Sequence, residues 1–132
     1  MMLAGLIRLW RDERGGSMIE IAFALPVFAT LLLGSLEFGR LFFTWSTIQY
    51  ATEQTGRFAM AKPASTADEL SSHLRENLPG VVASGVTITV TPETDSGLNY
   101  VVIVARVHFA FISILPIDAF DIEGRSRVPM VI

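Results

Sequence analysis

The stretch Ile21–Leu36, "IAFALPVFATLLLGSL", carries no charge. Counted from Met18, the apolar run is about 19 residues interrupted only by Glu20, close to the 20 or so that a spanning helix requires. Charges flank it on both sides, Arg11 to Arg14 before and Glu37 with Arg40 after. A buried core helix can be equally apolar, but those flanks match a segment limited by a membrane, and the reading is a single transmembrane helix over about 18–36. Arg8, Arg11 and Arg14 precede it, whereas Arg40, Arg57 and Lys62 follow at wider spacing. The positive-inside rule therefore places the N-terminus in the cytoplasm and the bulk of the chain outside it. A secretory signal peptide would end its apolar core at a small-residue cleavage site on the far side. Here the run continues through "EFGRLFFTW", so the segment is expected to stay in the mature protein. Processing is then expected on the near side, at Gly15 and Gly16.

Beyond such an anchor, a chain of 132 residues has room for one modest soluble domain. Charged residues are only 17% of the chain, below the roughly 25% usual in soluble proteins, and 51% are hydrophobic. The net charge of −3 comes with no basic tract, which argues against a nucleic-acid partner. The absence of cysteine excludes disulfides, thiolate zinc sites and a cysteine nucleophile, and leaves the redox compartment open. His73 and His108 lack metal-ligand spacing, and no P-loop, G-x-S-x-G or H-E-x-x-H occurs. Asp118, Asp121 and Glu123 cluster near the C-terminus and read as solvated. No catalytic residue, metal or cofactor is expected, and the protein is read as not an enzyme.

After Leu36 the apolar residues Phe38, Leu41, Phe42, Trp45, Ile48, Phe58 and Ala59 recur every three or four positions, with polar residues between. The helix is expected to continue out of the bilayer and to stop near Ala61, because Pro63 disfavours helical geometry at Lys62. From Ser17 to Ala61 that is about 45 residues, roughly 70 Å at about 1.5 Å per residue. Glu37 and Arg40 share a face and are expected either to pair at the outer interface or to be simply solvated there. Pro26 falls inside the span and is expected to kink it. Ala22, Ala29, Gly34, Ser35 and Gly39 are small enough to let a second helix approach, although no G-x-x-x-G is present.

The remainder reads as a small head. "KPASTADELSSHLRENLPG" predicts a short helix with Ser65 or Thr66 as N-cap, Asp68 or Glu69 as the capping-box acid, Leu70, Leu74 and Leu78 as its buried stripe, and Pro79-Gly80 as its end. Three strands follow: Val86–Val90, then a turn over "TPETDSG", then Leu98–Phe111, apolar on both faces as a middle strand is, and last Ala119–Val131. Gly124 marks a candidate bulge in the last strand, and Pro129 argues for an edge position. A three-stranded antiparallel sheet needs its apolar face covered, which the long and short helices can do. The fold class is thus α+β, with residues 1–15 a cytoplasmic leader, 16–61 the long helix and 62–132 the head.

A basic leader ending in glycine, a glutamate shortly after it, an uninterrupted apolar helix and a small α+β domain together resemble a type IV pilin or pseudopilin. More closely, "RGGSMIEIAFALPVFATLLLGSLEFGRLFF" resembles the TadE-like family of pilus assembly proteins of the tight adherence (Tad) secretion system, in which Gly, Glu, Pro and a downstream E-F-G-R recur in this order. Ile21 stands where an aromatic commonly follows the glutamate. The resemblance implies a pseudopilin of the bacterial inner membrane with a periplasmic head. It implies that a prepilin peptidase cuts after Gly15, making Gly16 the new N-terminus and Glu20 its fifth residue; a cut after Gly16 would make Glu20 the fourth. It also implies other pilins or pseudopilins and inner-membrane platform proteins as partners, with Glu20 serving assembly. The leader, through Leu6, Ile7, Leu9 and Trp10, would lie against the cytoplasmic interface.

Overall fold

The computed structural model describes residues 13–112 and 118–130. They form three helices, α1 (Glu13–Ala61), α2 (Ala67–Glu76) and α3 (Gly80–Ala83), and three strands, β1 (Val86–Asp95), β2 (Leu98–Phe109) and β3 (Phe120–Pro129). Leu6, Ile7, Leu9, Trp10 and Val131 lie outside the described residues. Two compact units meet between Leu36 and Glu37.

α1 ends at Ala61 as Pro63 dictates, but it starts at Glu13, ahead of the expected Ser17. Extending a long helix adds one hydrogen bond per residue, and this carries it across Gly15 and Gly16 although each glycine costs about 1 kcal/mol. The helix is assigned without interruption through Pro26. Within the first unit, Thr30 and Ser35 donate their hydroxyls back to the carbonyls of Pro26 and Leu31, both at 2.8 Å, so they need no outside partner. The apolar side chains from Met18 to Leu36 are exposed, and the helix is long and apolar enough to cross a membrane.

In the second unit the strands form one antiparallel sheet in the order β1-β2-β3. β1 runs on past Val90 to Asp95, paired with Leu98, so the expected seven-residue turn shrinks to Ser96-Gly97. Both residues have positive φ, 54° and 81°, the geometry of the two-residue hairpin whose twist matches the strands. β2 is the middle strand and buries Val101, Val102 and Ile103 in succession. It ends at Phe109, short of the expected Phe111. β3 is an edge strand that closes at Pro129, where a missing N–H costs no ladder bond.

Gly124 is not a bulge. The β2–β3 register runs unbroken from Tyr100↔Pro129 to Phe109↔Phe120, with Ala105 opposite Gly124. The glycine is there for space: a Cβ would stand 2.6 Å from Ile48 Cγ2 and 3.1 Å from the Ile48 carbonyl oxygen. Gly56 answers it from the helix, where a Cβ would stand 3.0 Å from Val128 Cγ1.

These close approaches revise the expected helix face. The side of α1 turned to the sheet carries Thr44, Ile48, Ala51, Thr52, Thr55 and Ala59, whereas Phe38, Phe42 and Trp45 are exposed. The buried threonines need no external partner, because Thr44, Thr52 and Thr55 donate to the carbonyls of Arg40, Ile48 and Ala51 at 2.7–2.9 Å. Small residues win this face because a wide aromatic would hold the helix off a flat sheet.

α2 follows its prediction closely. Thr66 is the N-cap, its hydroxyl accepts from Glu69 N–H at 3.3 Å, and Glu69 accepts from Thr66 N–H at 3.1 Å, a complete capping box. Leu70, Leu74 and Leu78 are buried as the stripe requires, each stabilising by about 2 kcal/mol. The single turn α3, starting after Pro79 and burying Val82, was not expected; four residues are too few to show a period.

Candidate functional site

Two sets of residues carry the functional reading, one in each unit. In the first, Gly15 and Gly16 lie within the first turns of α1, and Glu20, exposed, stands one turn after Gly16 on the same face. Pro26 and Gly34 lie further along, and Gly39 falls in the second unit. A Cβ added at Gly16, Gly34 or Gly39 meets nothing within 4 Å among the described residues. The structure thus brings Gly16 and Glu20 together, and does not gather Pro26, Gly34 and Gly39 with them.

The second unit starts with Glu37 and Arg40, which do more than pair with each other. The Arg40 guanidinium donates to Glu37 Oε2 at 2.9 Å and to the carbonyl of Ala110, and it lies 4.5 Å from the centre of the Phe109 ring. The N–H of Ile112 donates to Glu37 Oε1 at 3.3 Å, and the Glu37 side chain is only 12% exposed. Hydrogen bonds with one charged partner are the stronger kind, worth about 1.5–3 kcal/mol, and here they clamp the end of β2 to the helix. The sequence shows the i, i+3 spacing of Glu37 and Arg40 but not their backbone partners, which lie 70 and 75 residues downstream.

Beside this clamp, Phe38, Leu41, Phe42 and Trp45 line a groove of about 560 Å³ with Phe120 and Ile122. Asp121 and Glu123 stand at its edge, and both are engaged: Asp121 is 2.9 Å from His108 Nδ1, and Glu123 accepts from Arg106 at 2.9 Å. Both pairs sit directly opposite each other in the β2–β3 register, the arrangement that favours unlike charges. Asp121 and Glu123 of the acidic cluster therefore lie on the outer face of the sheet, and Asp118 precedes β3. His73 stacks on Phe58 with ring centres 4.3 Å apart, its Nδ1 3.3 Å from Thr55 Oγ1, which gives it a packing role between α2 and α1.

At the hairpin end of the sheet, Arg127 bonds Asp95 at 2.9 Å, stands 3.4 Å from Glu93, and covers the Tyr100 ring at 4.1 Å. Its hydrogen bond to Asp95 raises the Arg127 pKa, and the same bond, helped by Ser96, holds the Asp95 carboxyl below its usual range. Glu69 is likewise lowered, first by the hydrogen bond from Lys62 and then by the backbone N–H of Thr66. Among the described residues no three His, Asp or Glu side chains are grouped to hold a metal. No curated protein and no solved structure matches the chain. The family match falls on the motif and leaves the sheet outside it: residues 15–57 match the model of the family described as TadE-like protein.

Proposed function

We propose that the protein is a pseudopilin-like component for assembling or priming a Tad pilus, anchored by α1 in the bacterial inner membrane with its N-terminus cytoplasmic and its head periplasmic. The observation that carries this reading is that the TadE-like match lies on a helix whose first half is apolar and exposed. It works by helix packing and not by catalysis. A prepilin peptidase cuts after Gly15, and the partners are other pilins or pseudopilins and the inner-membrane platform.

Physical chemistry gives Glu20 its part. A carboxylate deep in hydrocarbon costs about 2.5 kcal/mol or more, less towards the boundary, and intramembrane acids are usually paired. Cleavage creates an ammonium at Gly16, one turn from Glu20, and that charge, or the same one on a neighbouring subunit, neutralises the acid. Pairing between subunits would fix their stagger. The competing reading is an uncleaved membrane-anchored binding module of the cell envelope, whose head captures a ligand and whose Glu20 reaches the headgroups and stays solvated.

Sequencing the mature N-terminus separates the two. A chain beginning at Gly16 is expected, and an intact Met1 would remove the processing step. In a cleaved protein, Glu20→Ala is expected to leave membrane insertion unchanged and to abolish piliation; normal pili would show that the charge is dispensable. Blotting sheared pili for the protein then tells a fibre component from an assembly factor that stays in the membrane.

A further inference from the structure

The second unit carries an apolar surface that its own core does not use. Phe38 and Phe42 are about two-thirds exposed, Trp45 is half-exposed, Phe120 is 41% exposed, and Ile112 is 79% exposed. Ile112 is not free to turn away with its backbone, because Glu37 accepts from its N–H and Arg40 bonds the carbonyl of Ala110 just before it. A large aliphatic side chain is thus held open beside residues 37–40 of the helix.

Where those residues fall in a bilayer follows from helix length. A hydrocarbon core of about 30 Å takes about 20 helical residues, and the headgroup layer adds about 5–7 Å on each side, another three to five residues. Counted from Met18, where the apolar run starts, the core ends near Glu37 and the headgroup layer near Phe42. Phe38 and Phe42 then fall within that layer, together with Ile112, whose N–H bonds Glu37, and Trp45 stands just beyond it. Of the two carboxylates nearest the groove, Glu123 is paired with Arg106, and Asp121 is hydrogen-bonded to His108 at 2.9 Å.

We propose that the surface formed by Phe38, Phe42, Ile112 and Phe120 rests in the lipid headgroup layer, so that Ile112, with Phe120, is a second lipid-contacting element besides the helix. The Glu37–Arg40 clamp sets its depth. The head is then seated on the membrane before any assembly, and leaving the bilayer means withdrawing this surface as well as the helix. The inference rests on the spanning reading of α1 proposed above.

The chain has no cysteine, which makes single-site labelling clean. The full-length variants Val27→Cys, Ile112→Cys, Phe120→Cys and Thr94→Cys, each carrying a fluorophore, are placed in nanodiscs of phosphatidylcholine and phosphatidylglycerol with lipids bearing a nitroxide near the headgroup end of the acyl chain. Loss of fluorescence is expected at Ile112 and Phe120 as well as at Val27, with none at Thr94 in the exposed hairpin. If Val27 keeps its fluorescence, the spanning reading fails and this inference with it. If Val27 is quenched while Ile112 and Phe120 are reached only by aqueous iodide, the spanning reading stands and the seated head is overturned. If Ile112 and Phe120 escape both quenchers, protein covers the surface, a second copy for instance, and the lipid assignment is equally overturned.

Discussion

Between Met18 and Leu36, α1 exposes Phe23, Phe28 and Leu31; between Thr44 and Ala59 the same helix buries Thr44, Ile48, Ala51, Thr52, Thr55 and Ala59, none larger than isoleucine. The first half is a side-chain set suited to a hydrocarbon solvent, where bulk and apolarity cost nothing on any face. The second half is selected for approach. Its neighbours are a sheet that it approaches closely at Gly124, so the criterion is how little each side chain protrudes. Hydropathy describes the first criterion well and the second poorly, because threonine, alanine and glycine score as indifferent while occupying the most closely packed face of the unit.

The sharpest way to break that comparison is to remove one large side chain from each region. Leu74 is fully buried on α2, and Leu74→Ala is expected to destabilise the head by about 3 kcal/mol, the transfer cost plus a cavity. Leu31→Ala, two-thirds exposed in the first unit, is expected to leave the head's stability unchanged. Thermal unfolding of the full chain in detergent, followed by near-UV circular dichroism, measures both. Equal losses would mean that the two regions share one core.

A finer test exchanges glycines. Gly124→Ala puts a methyl against Ile48, a β-branched residue whose carbonyl is also in the way, and is expected to cost about 2 kcal/mol by overpacking. Gly34→Ala meets nothing in its own chain and, by helix propensity, is expected to be neutral or stabilising by up to about 1 kcal/mol. The same melts read both. If Gly34→Ala also reduces piliation while the melt is unchanged, the glycine serves contact with another helix.

Particular residues show what the sequence made legible. The long apolar helix, the stop before Pro63, the Thr66–Glu69 capping box and the Leu70-Leu74-Leu78 stripe are all local patterns, legible from neighbouring residues of chain. On the helix, Phe38, Phe42 and Trp45 are exposed although Leu41 between them packs against the core, because a large apolar side chain does not by itself mark burial. Gly124 looked like a bulge because a glycine in a strand signals either a bulge or a close approach, and only the packing of α1 distinguishes them. The motif around Glu37 and Arg40 was visible as a pair, but its purpose lies in the backbone of Ala110 and Ile112, which no spacing rule reaches. Arg40→Met tests that purpose: it keeps an unbranched, flexible stem and removes the guanidinium with its hydrogen bonds. A loss of about 1–2 kcal/mol is expected in the same melt, much of it from leaving Glu37 without its charged partner. An unchanged melt would reduce the clamp to a surface pair.

Titration gives the smallest effect and probes the head outside both halves of the long helix. Glu69 and Asp95 have lowered pKa values in the folded protein, through Lys62 and through Arg127 respectively, so each favours the folded state while ionised. As pH falls below the ordinary carboxylate range, the unfolded chain takes up protons first, and the folded state loses this advantage progressively until pH passes below the lowered values. Stability is therefore expected to be flat from neutral pH to about pH 5 as far as these two groups are concerned, and to decline in more acid solution. Glu69→Gln keeps an acceptor for the Thr66 N–H and removes only the charge that Lys62 sees, so its acid decline should be shallower than that of the unaltered protein. Both side chains are solvent-facing, and screening limits what they contribute, so the separation between the two melting curves should narrow in high salt. A decline that is identical in both proteins would assign the acid sensitivity to other carboxylates.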